Sequence, residues 1–354
     1  MKCILFPDSA SDTTITVRVA ADADGPRWSD FVASQGAGTV FHAWQWRAIL
    51  CESFSFRSHY LIAERDNTVV GVLPLVEVKT LLFGHTLTSL PFCNWAGPLA
   101  TEPAAHQALD DKARAIAEAL GADHIEYRLF EAPRRSWPTK DLYVLFRKGI
   151  SPEHDTNMNN IPRKQRAMVR KGIMNGLVST EESVASFYPL YCNNVHRHGT
   201  PPVPRRFFQN IQDSFGQRCQ ILAVRSADGQ LHSAVLSLLH RNEVFSFYAG
   251  DTRLARDSAA NDFKYWEVMR RGAEAGYSSL NMGRSKQGTG SYDFKKNWGF
   301  EPTPLSYQYF LRTGDSMPEH NPLNPRYRTV INIWRQMPAW LVNQVGPLLV
   351  RGLG

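Results

Sequence analysis

Apolar and polar positions along this 354-residue chain fall into one order of patterns that occurs twice. Residues 59–65 and 69–78 are apolar-rich runs separated by the polar pair Asp66-Asn67, the pattern of two antiparallel strands joined by a tight turn. In the second half, residues 220–225 lead through Asp228-Gly229 into 231–239, and Arg241-Asn242 turns the chain into a third run, 244–248. After each set the apolar spacing changes from two to three-and-four. Leu109, Ala113, Ile116, Ala117 and Leu120 mark a helix stopped by Gly121, and a second helix is predicted from 262 to 275, stopped by Gly276. The helix ends read alike, Ala117-Glu118-Ala119-Leu120-Gly121 against Ala273-Glu274-Ala275-Gly276, and each feeds a short strand, 125–129 and 280–282.

This order predicts a repeat of about 155 to 160 residues. Each copy should be a mixed, mostly antiparallel sheet flanked by helices, in the α/β (α+β) class. Two unrelated halves could share the order by coincidence; the common spacing and helix ends favour duplication. Residues 149–162 are polar and suit a linker ending in a helix start. The predicted organisation is therefore a first unit over 1–150, a second over 151–315 that carries the site, and a helical tail over 316–354.

The length allows two ordinary domains, and 43% apolar with 21% charged residues is the composition of a globular chain. The five cysteines are odd in number, scattered and never spaced Cys-x-x-Cys, against both a disulfide framework and a zinc site. Apolar residues 3–6 are too few for a signal-peptide core, and no run approaches the ~18 apolar residues that span a bilayer. The expected location is cytoplasmic, with the inner face of the membrane as a peripheral alternative. A net charge of +7 suits anionic partners, though such an excess also serves solubility alone.

Three stretches carry candidate chemistry. Arg163, Lys164, Arg166, Arg170 and Lys171 place five cations in nine residues without an acid, with Arg163, Arg166 and Arg170 on one helical face. Such a comb could neutralise phosphates of a nucleotide, CoA, lipid pyrophosphate or tRNA; the plainer reading is a solvated surface helix. Residues 191–204 hold Asn194, His196, Arg197 and His198 and are read as a polar loop lining the site rather than as a metal centre. In 281–290 a strand end opens into Gly283, Arg284, Ser285, Lys286, Gly288 and Gly290, followed by a short helix over 291–299, an arrangement that brings backbone amides to an anion. It matches neither the Walker loop nor the dinucleotide fingerprint. Transfer of an acyl group to an amine needs proton removal, oxyanion donors and placement of both substrates. Lys295 and Arg284 are the candidate donors, Lys295 foremost for charge stabilisation.

Through these residues the second half resembles the FemAB family, whose members carry two GNAT-like (acyl-CoA N-acyltransferase-like) domains in tandem. The resemblance rests on the basic helix 163–171, Tyr248-Ala249-Gly250, Asn261-Asp262-Phe263, Gly283-Arg284-Ser285, and 294–299. Arg284-Ser285-Lys286 with Gly288-Thr289-Gly290, 294–302, and the tail 334–338 with Gly346-Pro347 are more closely similar to FemAB-like proteins associated with exosortase and PEP-CTERM exopolysaccharide systems. The resemblance implies attack by an amine on an activated acyl group, with aminoacyl-tRNA as donor and a peptidoglycan precursor as acceptor in the best understood members. It also implies that Lys295 sits in the catalytic cleft and that Tyr248, Asn261 and Arg284 line it. This chain departs in having Asn281 where many members have Asp, Ala249-Gly250 for a Gly-Gly pair, and no long helical arm of the kind some tRNA-using members insert. The CoA-binding loop of ordinary GNAT enzymes has no match at its expected place, so acyl-CoA and aminoacyl-tRNA both stay open as donor substrates.

The tail from 326 onward puts Tyr327, Val330, Ile331 and Trp334 on one helical face and continues past Pro338 with Trp340, Leu341, Val342, Val345, Leu348 and Leu349. It is expected to pack on its own domain, contact with a membrane surface being the alternative. Three functions follow: an N-acyltransferase acting on a cell-envelope or exopolysaccharide precursor, a CoA-dependent acetyltransferase on an amino sugar, or a non-catalytic adaptor of the exopolysaccharide and exosortase system.

Overall fold

The chain is described here from a computed structural model, which describes residues 14–80, 84–130, 137–312, 317 and 325–353. Residues 3–6, Tyr327's side chain and the junction 313–316 between second unit and tail lie outside the described set. Strands in the first half are β1 Thr16–Val19, β2 Arg57–Ser58, β3 Leu61–Arg65, β4 Thr68–Leu73, β5 Val76–Thr80, β6 Gly84–Thr88, β7 Leu99–Ala100, β8 His124–Leu129 and β9 Thr139–Gly149. Those in the second half are β10 Val178–Glu181, β11 Cys219–Arg225, β12 Leu231–His240, β13 Glu243–Asp251, β14 Ser279–Lys286 and β15 Pro302–Leu311.

The predicted repeat is present. Each half runs strand, two helices, an antiparallel hairpin, a further strand, a long helix, a strand parallel to that further one, and a last strand. The long helices are Pro103–Leu120 and Ala260–Glu274. The turn after β3 has both central residues left-handed, Asp66 at φ 48° and Asn67 at φ 61°, as a two-residue hairpin requires. One expected strand, 69–78, is instead two. Pro74 has no N–H to give a ladder, so β4 ends at Leu73 and β5 restarts in another sheet, whereas β12 runs unbroken.

The halves do not keep separate sheets. Four strands form one sheet in the order β1-β3-β4-β7, and eleven form the other, β10-β11-β12-β13-β14-β9-β15-β8-β6-β5-β2. The last strands are exchanged: β9 of the first half lies between β14 and β15, and β15 of the second lies between β9 and β8. The linker at 150 thus divides the chain but not the sheet.

Aromatic packing crosses the same boundary. Phe41, fully buried, packs its ring on Trp95 at 5.3 Å and on Phe245 at 5.3 Å, and helix Trp46–Phe54 sets Trp46 against Phe207 and Phe215 of helix Arg205–Phe215. On the opposite face, helix Ala260–Glu274 buries Phe263, Trp266 and Met269 over Leu222, Val224 and Val235. Helix Pro103–Leu120 covers Leu61, Leu73, Leu87 and Ile125.

Residues 191–204, expected as a polar loop, are helical as far as His198, because Phe187, Leu190 and Tyr191 make one apolar face under β13. The tail forms helices Pro325–Gln336 and Ala339–Leu349, which pack on that helix. His196 Nε2 lies 2.9 Å from Trp334 O, Arg335 donates to His198 O, and Gly346 fits against Pro202. Trp334 and Val342 are buried, while Val330, predicted on Trp334's face, is exposed.

With strands and rings shared, the halves should unfold together. Phe41→Ala is expected to cost about 3–5 kcal/mol. Denaturant titration followed by tryptophan fluorescence and by far-ultraviolet dichroism should give coincident single transitions; two separated transitions would show that the halves are independent.

Candidate functional site

The site begins where two parallel strands part. β13 and β14 pair only through Glu243–Phe245 and Ser279–Asn281, and then diverge. Gly283 adopts φ 72°, its N–H donates to Asn281 Oδ1 at 2.8 Å, and the ladder of β14 on β9 skips register between Asn281 and Arg284. Asn281, the departure from the family pattern, is therefore a backbone clamp, and its Nδ2 donates to Glu243 at 3.2 Å. The parted strands open a cavity of about 300 Å³ whose wall includes Tyr248, Arg284 and Lys295. Gly250, at the end of β13, must be small because an added Cβ would lie 2.8 Å from the backbone of Tyr191.

Lys295 projects from helix Gly290–Asn297, whose first turn is capped by Thr289 Oγ1, accepting from Tyr292 N at 3.4 Å. Its Nζ is buried and donates to Gly283 O at 3.2 Å and Arg284 O at 3.0 Å. Burial first, and then the Arg284 charge, push its pKa down to about 7. No carboxylate pairs with it among the described residues. Near neutrality it is thus divided between ammonium and free amine.

Arg284 is held by two tyrosines. Its guanidinium lies 4.5 Å from the centroid of Tyr143 on β9, and Nη1 donates to the Tyr307 hydroxyl on β15, which donates to Asn94 O at 2.7 Å. Tyr248 sits among Tyr191, Phe207, Phe208 and Phe247. Burial raises its ionisation well above the ordinary range, so it remains an O–H donor, and its hydroxyl has no hydrogen-bond partner among the described residues. Ser246 Oγ, also in the wall, is buried without a partner.

Of the residues singled out in the sequence, Lys295, Arg284 and Tyr248 are brought together. Ser285 is just behind them, accepting from the wall residue Ser291 at 3.0 Å. Asn261 is half-buried in the first turn of helix Ala260–Glu274 and does not line the cavity. Lys286 ends β14 and Gly288 and Gly290 follow it, all outside the wall, and Cβ atoms at the two glycines would meet open space. Arg197 is turned to Asn194 and to the backbone of Asp251. Arg163, Lys164, Arg170 and Lys171 stand exposed on helix Arg163–Met174, and Arg166 reaches Asn159 at 3.0 Å. No group of three His, Cys, Asp or Glu among the described residues could hold a metal ion.

Sequence reading missed the first half's share of the wall, Phe92 and Asn94. They belong to a segment in which Leu90 (φ 61°) and Phe92 (φ 66°) are left-handed although neither is glycine. Arg128 holds this strained turn by donating to Leu90 O and Cys93 O. Such strain leaves no periodic signal. A second cavity, about 340 Å³, occupies the corresponding place in the first half beside the end of β8, lined in part by His42, Trp95, Phe130 and Arg147; among the described residues no lysine borders it.

Residues 156–296 match the family described as Acetyltransferase (GNAT) domain. The same fold recurs over most of the chain in solved structures. FemX matches with TM-score 0.61 and 14% identity over 89% of this chain and 100% of its own. L-PGS from Bacillus licheniformis matches with TM-score 0.56 and 12% identity over 89% and 98%, and a tandem GNAT protein from the clavulanic acid biosynthesis pathway with 0.55 and 11% over 86% and 100%. No curated protein matches by sequence. The architecture is two GNAT-type units in tandem, the second carrying the matched acetyltransferase domain.

A buried lysine held near neutrality weakens the fold. The unfolded side chain titrates near 10.4 and the folded one near 7, so the penalty is full below about pH 7 and vanishes as pH rises toward 10. Lys295→Met should therefore melt at higher temperature than the parent at pH 7, with the gap narrowing up to pH 10; an equal or lower melting temperature at pH 7 would count against the lowered pKa.

Proposed function

We propose that the chain is an N-acyltransferase that moves an acyl or aminoacyl group onto an amine of a cell-envelope or exopolysaccharide precursor. The observation that carries this reading is Lys295, buried in the wall of the cavity between β13 and β14 with a pKa about 7 and with two of its hydrogen-bonding directions spent on backbone carbonyls. In free-amine form it accepts the proton that the attacking nitrogen must shed as the new C–N bond forms, and it returns that proton to the thiol sulfur of CoA or the ribose oxygen of tRNA as the acyl C–S or C–O bond breaks. Tyr248, which stays an O–H donor, would donate to the oxyanion that develops on the acyl oxygen. Arg284, its guanidinium already bonded to Tyr307, fixes the wall and supplies positive potential.

The acyl-transfer class is supported by the GNAT match over 156–296, and the aminoacyl and envelope reading by the FemAB resemblance. Donor choice between acyl-CoA and aminoacyl-tRNA, and the link to exosortase and PEP-CTERM systems, belong to the same proposal. The amino-sugar acetyltransferase and the non-catalytic adaptor are its rivals.

Purified protein would be screened for turnover with acyl-CoAs and aminoacyl-tRNAs against amine-bearing nucleotide-linked and lipid-linked sugars. Lys295→Ala should lower kcat about 10²- to 10⁴-fold, and Tyr248→Phe about 10²- to 10³-fold. The rate should climb as pH rises through about 7, because the unprotonated lysine is the working form. Lys295→Arg separates roles: a base cannot be replaced by arginine, whereas activity retained in this variant would assign Lys295 to charge stabilisation. Absence of turnover with every pair, together with unchanged binding in Lys295→Ala, would favour the adaptor.

A further inference from the structure

The basic helix lines neither cavity, so its charge calls for another partner. Helix Arg163–Met174 packs on helix Ala260–Glu274 through Gly172, where an added Cβ would lie 2.8 Å from Phe263. Asn175 Nδ2 donates to Ser258 O at 3.1 Å, and Ser258 N donates to Leu254 O at 3.0 Å. Segments 170–178 and 253–256 thereby form one surface. Residues 163–178 and 253–256 contain no Asp or Glu, the first acid beyond them being the exposed Asp257. Arg163, Lys164, Arg170, Lys171, Arg253 and Arg256 are exposed, and among the described residues none is in an ion pair.

Aliphatic side chains stand among these cations: Met174 is 80% exposed, Val178 49%, Ile173 48% and Leu254 46%. A single-stranded nucleic acid would be met by aromatic platforms, and no aromatic residue occurs in either segment. Protruding aliphatics ringed by arginine and lysine match the boundary between phosphate headgroups and acyl chains.

We propose that the face formed by residues 163–178 and 253–256 docks on an anionic lipid surface. The cations meet headgroup phosphates, and Met174, Ile173 and Leu254 enter the acyl boundary. The C-terminal tail, which also exposes Trp340 and Leu348, lies elsewhere. The tail packs on helix Val184–His198, whose Phe187 and Tyr191 share a core with Ile221 and Ala223, while helix Ala260–Glu274 shares the other core with Leu222 and Val224. Alternate residues of one strand point to opposite faces, so patch and tail lie on opposite sides of the sheet. The docking is independent of the chemistry in the cavity.

The test is flotation of the full chain with phosphatidylcholine vesicles and with vesicles in which about a third of the lipid is phosphatidylglycerol. The chain should float with the anionic vesicles only and be released as salt shortens the screening length toward roughly 3 Å. Arg170→Glu/Lys171→Glu should weaken partitioning by at least tenfold, given roughly fivefold per cation lost. Met174→Asp, at an exposed position, should weaken it several-fold while the melting temperature stays that of the parent. Equal flotation with neutral vesicles, no flotation with either, or a Met174→Asp variant that floats like the parent would overturn the proposal. So would stronger retention on tRNA than on anionic vesicles at the same salt, unaffected by Met174→Asp, which would assign the surface to RNA.

Discussion

The exchange of β9 and β15 is the constraint on which the rest of the molecule depends. A strand between β14 and β15 must bond to both, so the first half is built into the second half's sheet rather than resting against it. The exchanged strands deliver Tyr143 and Tyr307, whose rings lie 5.2 Å apart, side by side against Arg284, and Tyr307 passes the contact on to Asn94 of the first half. One arginine therefore carries a wall of the cavity, a seam between the halves and the positive field that helps depress Lys295. The parting of β13 and β14 is a local event, set by Gly283 and Asn281; what keeps the gap open and walled is the seam.

Stability and chemistry pull against each other at Lys295. Water would hold its ammonium readily; the cavity offers two carbonyl oxygens and an arginine. The surrounding fold carries that cost through cores on both faces of an eleven-stranded sheet. This side chain is placed unfavourably, in a wall that also holds a tyrosine hydroxyl and a serine hydroxyl with no partner among the described residues, and such local conflicts are the kind that functional sites retain.

Periodicity made most of the architecture legible. The hairpins at 61–73 and 219–240, the helices stopped by Gly121 and Gly276, and the repeat itself all follow from spacing and from turn residues. Which strand neighbours which was beyond it, since exchange of β9 and β15 depends on pairing between segments more than a hundred residues apart. Pro74 was in plain view, yet its effect, one strand becoming two in different sheets, requires knowing the sheet. At the site, Lys295 and Arg284 stood out because loop and helix chemistry is local, whereas Tyr248, on strand β13, was named only through the family resemblance. Phe92, Asn94 and Ser246 were not: a serine in an apolar strand and a left-handed phenylalanine gain meaning only when the neighbouring wall is in place. The five cations were read correctly as a helix face, but spacing alone could not tell which way that face looks.

The shared sheet also bears on how such a chain can change through descent. Were each copy self-contained, one could drift freely while the other kept its task. Here a substitution in β15 meets β8 on one side and β9 on the other, so it is felt across the boundary between the halves. The lysine found, among the described residues, in only one of the two cavities distinguishes copies that heredity must nonetheless handle as a single object.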